Sequence, residues 1–244
     1  GIVIVPLLTL GFGVDIPYAV GASLVSVIAT SSGAAAAYVK EGFTNIRVGM
    51  VLEVATTTGA LLGAYVAGII PTGAIAVIFG LVLLFTAYRS LHPLEEHVVT
   101  ESDDRLAQWL RLGSTYPTPE GLREYAVTAV PQGFGLMGMA GMLSGLLGIG
   151  GGVLKVLAMD RTMRLPFKVS TTTSNFMIGV TATASAGLYL HRGYIDPGLV
   201  FPVMLGVLCG ALLGARILTR APTKLLRNIF TVVVVVLAVE MLYK

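Results

Sequence analysis

The sequence predicts an all-α, polytopic membrane protein made of two inverted repeats, each a glycine-rich broken or re-entrant helix followed by three transmembrane helices. Three observations carry this. Of 244 residues, 55% are hydrophobic and 12% charged, with mean hydropathy +0.85, whereas soluble domains carry roughly 25% charged residues. Apolar runs of about 20 residues match the hydrocarbon thickness of a bilayer, and no uncharged alternating strands point to a barrel. Second, the chain repeats itself: Gly-Ala-Leu-Leu-Gly at 59–63 recurs at 210–214, and Tyr38 and Gly42 recur at the same 151-residue offset as Tyr189 and Gly193. Third, basic residues fall unequally on equivalent turns. None lies in 9–17 or 67–73, while the later counterparts hold Arg161, Arg164 and Lys168, then Arg220 and Lys224. The positive-inside rule puts such turns on opposite sides of the membrane, so the repeats are expected to be inverted.

Taken in order, 1–8 is apolar and too short to span a bilayer. Gly11, Gly13, Asp15 and Pro17 mark a turn before a helix to about Tyr38, with Pro17 suited to its first turn. Ser23, Ser26, Thr30, Ser31 and Ser32 give that helix a density of hydroxyls expected of close packing or a polar path. A third segment runs to about Ala67 and a fourth from about Gly73 to Tyr88. These make a first repeat over 1–90. Overlaying Gly1-Ile-Val-Ile-Val on Gly152-Val-Leu-Lys-Val makes Gly1 the last glycine of a first break, with about one apolar helix expected before it. Pro17-Tyr18 aligns with Pro166-Phe167 two residues out of step, which sets Ser23 against Thr172. Residues 91–124 read as a charged cytoplasmic linker, in which Ser102 or Asp103 caps a short interfacial helix carrying Leu106, Trp109 and Leu110 on one face. The second repeat fills 125–244. Thirteen of the sixteen basic residues then lie on the cytoplasmic side, provided that 125–148 and 153–159 enter and leave on one side, with the glycine run as the tip of a hairpin.

Within 143–155, Gly148, Gly150, Gly151 and Gly152 are four glycines in five residues. They permit positive φ and should break an apolar helix, leaving a new one to start near Val153. Helix starts are positively polarised, and broken helices that aim their first amides at an anion build the mid-membrane sites of many transporters. Gly150, Gly151 and Gly152, with Gly1 opposite, are therefore candidate anion contacts; close helix crossing is the alternative. The run Ser-Thr-Thr-Thr-Ser-Asn at 170–175 supplies Thr171, Thr172, Ser174 and Asn175, with Ser23 and Ser26 as first-half partners. Three of these, Thr171, Ser174 and Asn175, share a helical face and are suited to neutral hydrogen bonding of sulfonate-type oxygens, or to capping and interhelical contact. Lys155 is an intramembrane cation costing about 2.5–3.5 kcal/mol on insertion scales, functional in the core or snorkelling to an interface. Glu53 poses the same choice with opposite sign: a proton carrier, or a residue at the cytoplasmic mouth.

Other classes are disfavoured. One cysteine, Cys209, permits no internal disulfide, and His92, His97 and His191 lack metal-type spacing, so no metal and no cofactor is expected. The glycine run lacks Gly-Lys-Ser/Thr and does not match Gly-x-Gly-x-x-Gly, which argues against nucleotide. Net charge +3 is too small to suggest nucleic acid. An enzyme would need a convergent set, and Cys209, Glu53 and Lys155 lie on separate segments with no evident partner. The expected partners are a small anionic substrate and the lipid bilayer; nothing in the sequence fixes an oligomeric state.

The run Gly-Leu-Leu-Gly-Ile-Gly-Gly-Gly at 145–152, the 166–175 element, their counterparts at 1–6 and 17–24, and the paired Gly-Ala-Leu-Leu-Gly together resemble the TauE/SafE family of membrane exporters. The resemblance covers nearly the whole chain outside 89–124. It implies a secondary transporter that exports sulfite or a small organosulfonate such as sulfoacetate across the plasma membrane of a bacterium by alternating access. An anion channel is the alternative.

Overall fold

The computed structural model describes every residue except 41, 92–103, 119–120, 219–222 and 244. His92, His97, Arg220 and the expected caps Ser102 and Asp103 lie outside the described residues.

The chain opens with a short helix, α1 (Ile4–Pro6), that continues into a wide π-type turn, Leu7–Gly11. Three long helices follow: α2 (Ile16–Lys40), α3 (Ile46–Ala67) and α4 (Thr72–Leu91). The linker holds α5 (Arg105–Trp109), then strands β1 (Ser114–Thr118) and β2 (Gly121–Tyr125), paired antiparallel with Ser114 opposite Tyr125. Helix α6 (Val130–Leu147) leads into the glycine break. After it come α7 (Gly152–Leu157), a second wide turn at Ala158–Thr162, α8 (Phe167–His191), α9 (Pro197–Leu218) and α10 (Thr223–Tyr243). Ile16–Ala35, Ile46–Ala67, Thr72–Arg89 and Val130–Leu147 are long and apolar enough to cross a membrane.

The all-α expectation needs one correction. The linker contains a β-hairpin as well as the expected helix, and its cap is Asp104: Oδ1 accepts from the amides of Leu106 and Ala107, and Oδ2 accepts from that of Val130 at 2.7 Å. One carboxylate thus caps two helices. The hairpin is tied to the bundle by Asn45, whose Nδ2 donates to Leu112 O and Tyr125 Oη while its Oδ1 caps α3.

Every long helix after the glycine break begins 151 residues after one in the first half: 16 and 167, 46 and 197, 72 and 223, with the wide turns at 7 and 158. The two-residue slip assigned to the turn before α2 is therefore wrong. The offset holds through that turn because backbone geometry holds: Gly13 and Arg164 both have positive φ, and Val14 N to Leu8 O is matched by Leu165 N to Met159 O, each 3.1 Å. Ser23 thus corresponds to Ser174, and Gly21 to Thr172.

Packing follows the same exchange. Helix α2 packs on α9 as α3 packs on α8, while α2 with α8 and α4 with α10 are mutual pairs. At one end of the bundle Thr172 Oγ1 donates to Phe43 O, Lys168 lies over the Phe43 ring, Arg47 reaches Arg111 O, and Thr128 N bonds Met163 O. That end gathers the linker, the α2–α3 loop and the turn before α8. The turn before α2 lies instead with the α8–α9 loop, where Tyr18 meets Tyr194 edge-on at 5.5 Å and a Cβ at Gly21 would strike Tyr194 O. Arg192 closes the same end by donating to Ala64 O and Tyr65 O, the last carbonyls of α3, where a helix dipole favours a cation.

Helices α3 and α6 make the closest approach. A Cβ at Gly59 or Gly63 would run into the backbone of Gly138 or Met142, and one at Gly141 or Gly145 into that of Thr56 or Ala60. Reciprocal small-residue notches of this kind let helices dock where burial of apolar surface from water supplies no force between them. Helix α8 is built the other way round from a lipid-facing helix: Ser170, Thr172, Thr173, Ser174, Thr181 and Ser185 are all buried. It lies at the centre of the bundle, between α2 and α3.

Candidate functional site

The interruption expected within 148–152 is present. Gly148 ends α6 at φ +67°, Gly150 follows at +73°, and Gly151 precedes α7 at +67°. L side chains strongly disfavour three such conformations in four residues. Space is as restrictive as torsion. A Cβ would stand 2.7 Å from Val20 Cγ1 at Gly148, 3.0 Å from Ile178 Cγ2 at Gly150, 3.1 Å from Ala140 O at Gly151, and 2.9 Å from Ile178 Cδ1 at Gly152. Helices α2, α6 and α8 therefore enclose the break. The chain enters through α6 and returns through 152–162, ending beside the start of α6 at the Thr128–Met163 bond. The first amides of that returning helix have no carbonyl four residues back to bond, and they sit at its positive end.

The candidates fall into three sets. Gly1 meets the break directly, since a Cβ there would lie 2.6 Å from Gly148 O and 2.7 Å from Ile149 Cα. Ser23 donates to Gly148 O at 2.8 Å, and Ser174, its counterpart, reaches Gly152 O at 3.4 Å. Gly1, Ser23, Ser174 and Gly150, Gly151 and Gly152 are thus brought together. In the second set, hydroxyls turn to the backbone: Ser26 to Ala22 O, Thr171 to Phe167 O, Thr172 to Lys168 O and Phe43 O. The shared-face arrangement of Thr171, Ser174 and Asn175 does not converge, because Ser174 points to the break while Thr171 folds back on α8; Asn175 is half-buried.

The third set overturns an expectation. Lys155 and Glu53 are not on unpartnered segments. Lys155, 0% exposed, donates through Nζ to Thr181 Oγ1 at 2.6 Å, and Thr181 donates to Glu53 Oε1 at 2.6 Å. Thr57 donates to the same oxygen at 2.9 Å, leaving Glu53 Oε2 buried with no hydrogen-bond partner. Snorkelling is excluded for Lys155, whose amine ends inside the bundle, one helical turn past Gly151. Sequence reasoning missed Thr181, although it lies seven residues, two helical turns, beyond Ser174 on the same face of α8. It also missed Ser144, whose buried hydroxyl has no partner and lies 3.5 Å from where Gly151 would carry a Cβ.

Two cavities flank this centre. One of about 470 Å³ lies between α2 and α8, with Ser31, Ser32, Gly179 and Thr183 in its wall. The other, about 590 Å³, lies against α6 and α7, with Arg89 and Arg161 beside apolar residues that include Ala140 and Leu154. Ala140 contributes the carbonyl that Gly151 packs against, so this cavity ends one residue short of the break. Residues 144–151 are themselves buried throughout.

A helical bundle with long apolar spans, an interrupted helix at its centre and a buried charged pair beside the interruption has the build of a membrane transporter. Comparison agrees: the model of the sulfite exporter TauE/SafE family matches residues 1–241. The chain belongs to that family. It is 25% identical over 93% of its length to the probable membrane transporter protein YunE of Bacillus subtilis, covering 81% of that protein, and 26% identical over 92% to YdhB of the same organism, covering 84%. A probable membrane transporter protein of Xylella fastidiosa is 24% identical over 98% of the chain, with 85% of its own length covered. No solved structure matches.

Proposed function

We propose that this chain is a secondary transporter that exports a small sulfur oxyanion or organosulfonate, of the sulfite or sulfoacetate type, across the bacterial plasma membrane by alternating access. One observation carries the reading: Gly1 lies against Gly148 and Ile149 of the glycine break, with the unpartnered Ser144 hydroxyl facing Gly151. An oxyanion entering between them would accept from helix-start amides and from hydroxyls at Ser144, Ser23 and Ser174. Neutral donors hold an anion reversibly, as carriage requires.

Two inverted repeats, 1–90 and 125–244, joined by a cytoplasmic linker at 91–124, form the moving parts. Support comes from the 151-residue recurrence of element starts, and from the placement of the turns before α2 and α8 at opposite ends of the bundle. Rocking of one half against the other would open the meeting point to each side in turn. The closed packing of 144–151 favours a carrier over an open channel. The family is named for sulfite export, and the side chains at the break suit such an anion.

The test is uptake of radiolabelled sulfite, sulfoacetate and sulfate into proteoliposomes, comparing wild type with Gly151→Leu and Ser144→Ala. Saturable flux of one of these anions is expected, lost in Gly151→Leu and reduced about tenfold in Ser144→Ala, as removal of a hydrogen bond to a charged group implies. Flux that is unaltered in both would remove the site.

A further inference from the structure

The buried chain Lys155–Thr181–Glu53 has no role in the anion site as described, although it lies one helical turn from it. We propose that Glu53 is the proton-binding site of the transport cycle, and that Thr181 couples its occupancy to the charge that Lys155 offers an incoming anion. The proposal rests on the transport reading and names its coupling ion.

The hydrogen bonds suit a carboxylate at Glu53 and an ammonium at Lys155. Glu53 Oε1 accepts from Thr57 at 2.9 Å and Thr181 at 2.6 Å, while Lys155 Nζ donates to Thr181 at 2.6 Å. Carboxylate and ammonium therefore offset each other through one hydroxyl, and the pair is neutral toward a third ion. A single proton changes this. Taken from hydronium, whose O–H bond breaks to leave water, it forms an O–H bond at Glu53 Oε2, the oxygen buried without a partner, and no other covalent bond changes. The Thr181 hydroxyl already has a second acceptor, Met177 O at 2.9 Å, to which it turns once Oε1 is no longer charged. Lys155 keeps its bond to Thr181 Oγ1 and is left with an uncompensated positive charge beside the glycine break. An anion arriving there restores neutrality.

Neighbouring elements do not blur this assignment. Helix α6 carries no titratable residue. On α8 the ionisable groups are Lys168, Tyr189 and His191, the nearest two turns from Thr181, and on α3 the only other charged residue is Arg47 at its start. The wide turn after α7 adds Asp160 and Arg161, more than a helical turn past Lys155; the charge joined to Lys155 through Thr181 is that of Glu53. Because the proton raises the site's affinity for the anion, the anion raises its affinity for the proton by the same factor, and the two travel together in the direction of their summed gradients, outward when the anion's own outward gradient is the larger.

The experiment uses the purified full chain in liposomes containing a pH-reporting dye, with labelled isethionate as probe, a sulfonate that has no proton of its own to exchange near neutral pH. In parallel, the infrared band of protonated carboxyl groups is followed as pH falls, with and without isethionate. Wild type should show isethionate uptake raised about tenfold by an inward proton gradient, acidification that accompanies uptake, and a carboxyl band that appears at higher pH when isethionate is present. Glu53→Gln, which keeps a carbonyl for Thr57 and Thr181, should lack the band and move isethionate independently of pH without acidification. Thr181→Val should keep the band but lose its response to isethionate. Transport with proton flux intact in Glu53→Gln, or a titrating band that Glu53→Gln leaves in place, overturns the proposal. A Glu53-dependent band in a protein that moves no isethionate, sulfite or sulfoacetate would instead refute the transport reading and leave the proton site standing.

Discussion

In α3 the residues Gly-Ala-Leu-Leu-Gly at 59–63 are pressed into α6, so closely that a methyl group on either glycine would enter the backbone of Gly138 or Met142; in α9 the same five residues at 210–214 begin at a glycine that, among the described residues, has nothing within 4 Å. Gly206, one turn earlier on α9, is equally open, whereas Gly49 and Gly59 on α3 meet Phe176 and Gly138. A motif that looks like one packing device thus sits in two environments. The sequence specifies a notch; whether a helix fills it is settled by what lies opposite.

The largest effect should come from substituting the two copies alike. Gly59→Leu forces α3 and α6 apart and should destabilise the protein by about 3 kcal/mol or more, at the upper end of overpacking costs. Gly210→Leu should cost as much where a helix seats in the α9 notch, and fall within about 0.5 kcal/mol of wild type where lipid does. Thermal unfolding in detergent, read by loss of the monodisperse peak, measures both. Equal damage from the two substitutions would show that the α9 notch is also filled, and the contrast would vanish.

A second contrast lies between Gly21 and Thr172, which occupy counterpart positions at opposite ends of the bundle. Each meets the loop of the other half: Gly21 lies against Tyr194 O, and Thr172 donates to Phe43 O at 3.0 Å. One end achieves contact by having no side chain, the other by a hydrogen bond. Gly21→Thr should therefore cost about 2 kcal/mol, since a Cβ meets backbone that cannot yield cheaply. Thr172→Ala should cost about 1 kcal/mol, a single hydrogen bond. Denaturation midpoints that rank the pair in reverse would break the proposed equivalence.

These contrasts explain what the sequence disclosed and what it withheld. Glycines at 148–152 pointed to an interrupted helix ahead of a close crossing, and the paired motifs at 59 and 210 fixed the repeat length, because both depend on local backbone chemistry. The slip in the turn before α2 arose from matching Pro17 to Pro166, an identity of residue type. The conserved quantity there is a positive φ, supplied by Gly13 in one half and by Arg164 in the other, and residue type hides it. The hairpin at 114–125 was masked by Pro117, which suggests a breaker but is tolerated in a two-stranded ribbon where one face of each strand has no partner. Lys155 and Glu53 were recognised singly. Their union through Thr181 joins three helices, and no spacing within one segment encodes it.

The smallest expected effect concerns the caps Asn45 and Asp196, again counterparts at the 151-residue offset. Asn45 accepts from Val48 N and also donates to Leu112 O and Tyr125 Oη, all buried, whereas Asp196 accepts only from Gly198 N at 3.2 Å in an exposed loop. Asp196→Ala loses an exposed cap and should cost about 0.5 kcal/mol. Asn45→Ala loses the cap and leaves the Leu112 carbonyl and the Tyr125 hydroxyl without this donor, which should bring the cost to about 2 kcal/mol. The two also differ in where the damage appears. Hydrogen exchange should quicken at the α9 start in Asp196→Ala, but at both the α3 start and the 114–125 hairpin in Asn45→Ala, because of the two caps Asn45 alone also bonds the linker. A hairpin whose protection is unchanged in Asn45→Ala would mean that it is held by its packing alone, through Tyr116 and Leu112, and the two caps would then be equivalent in function as well as in position.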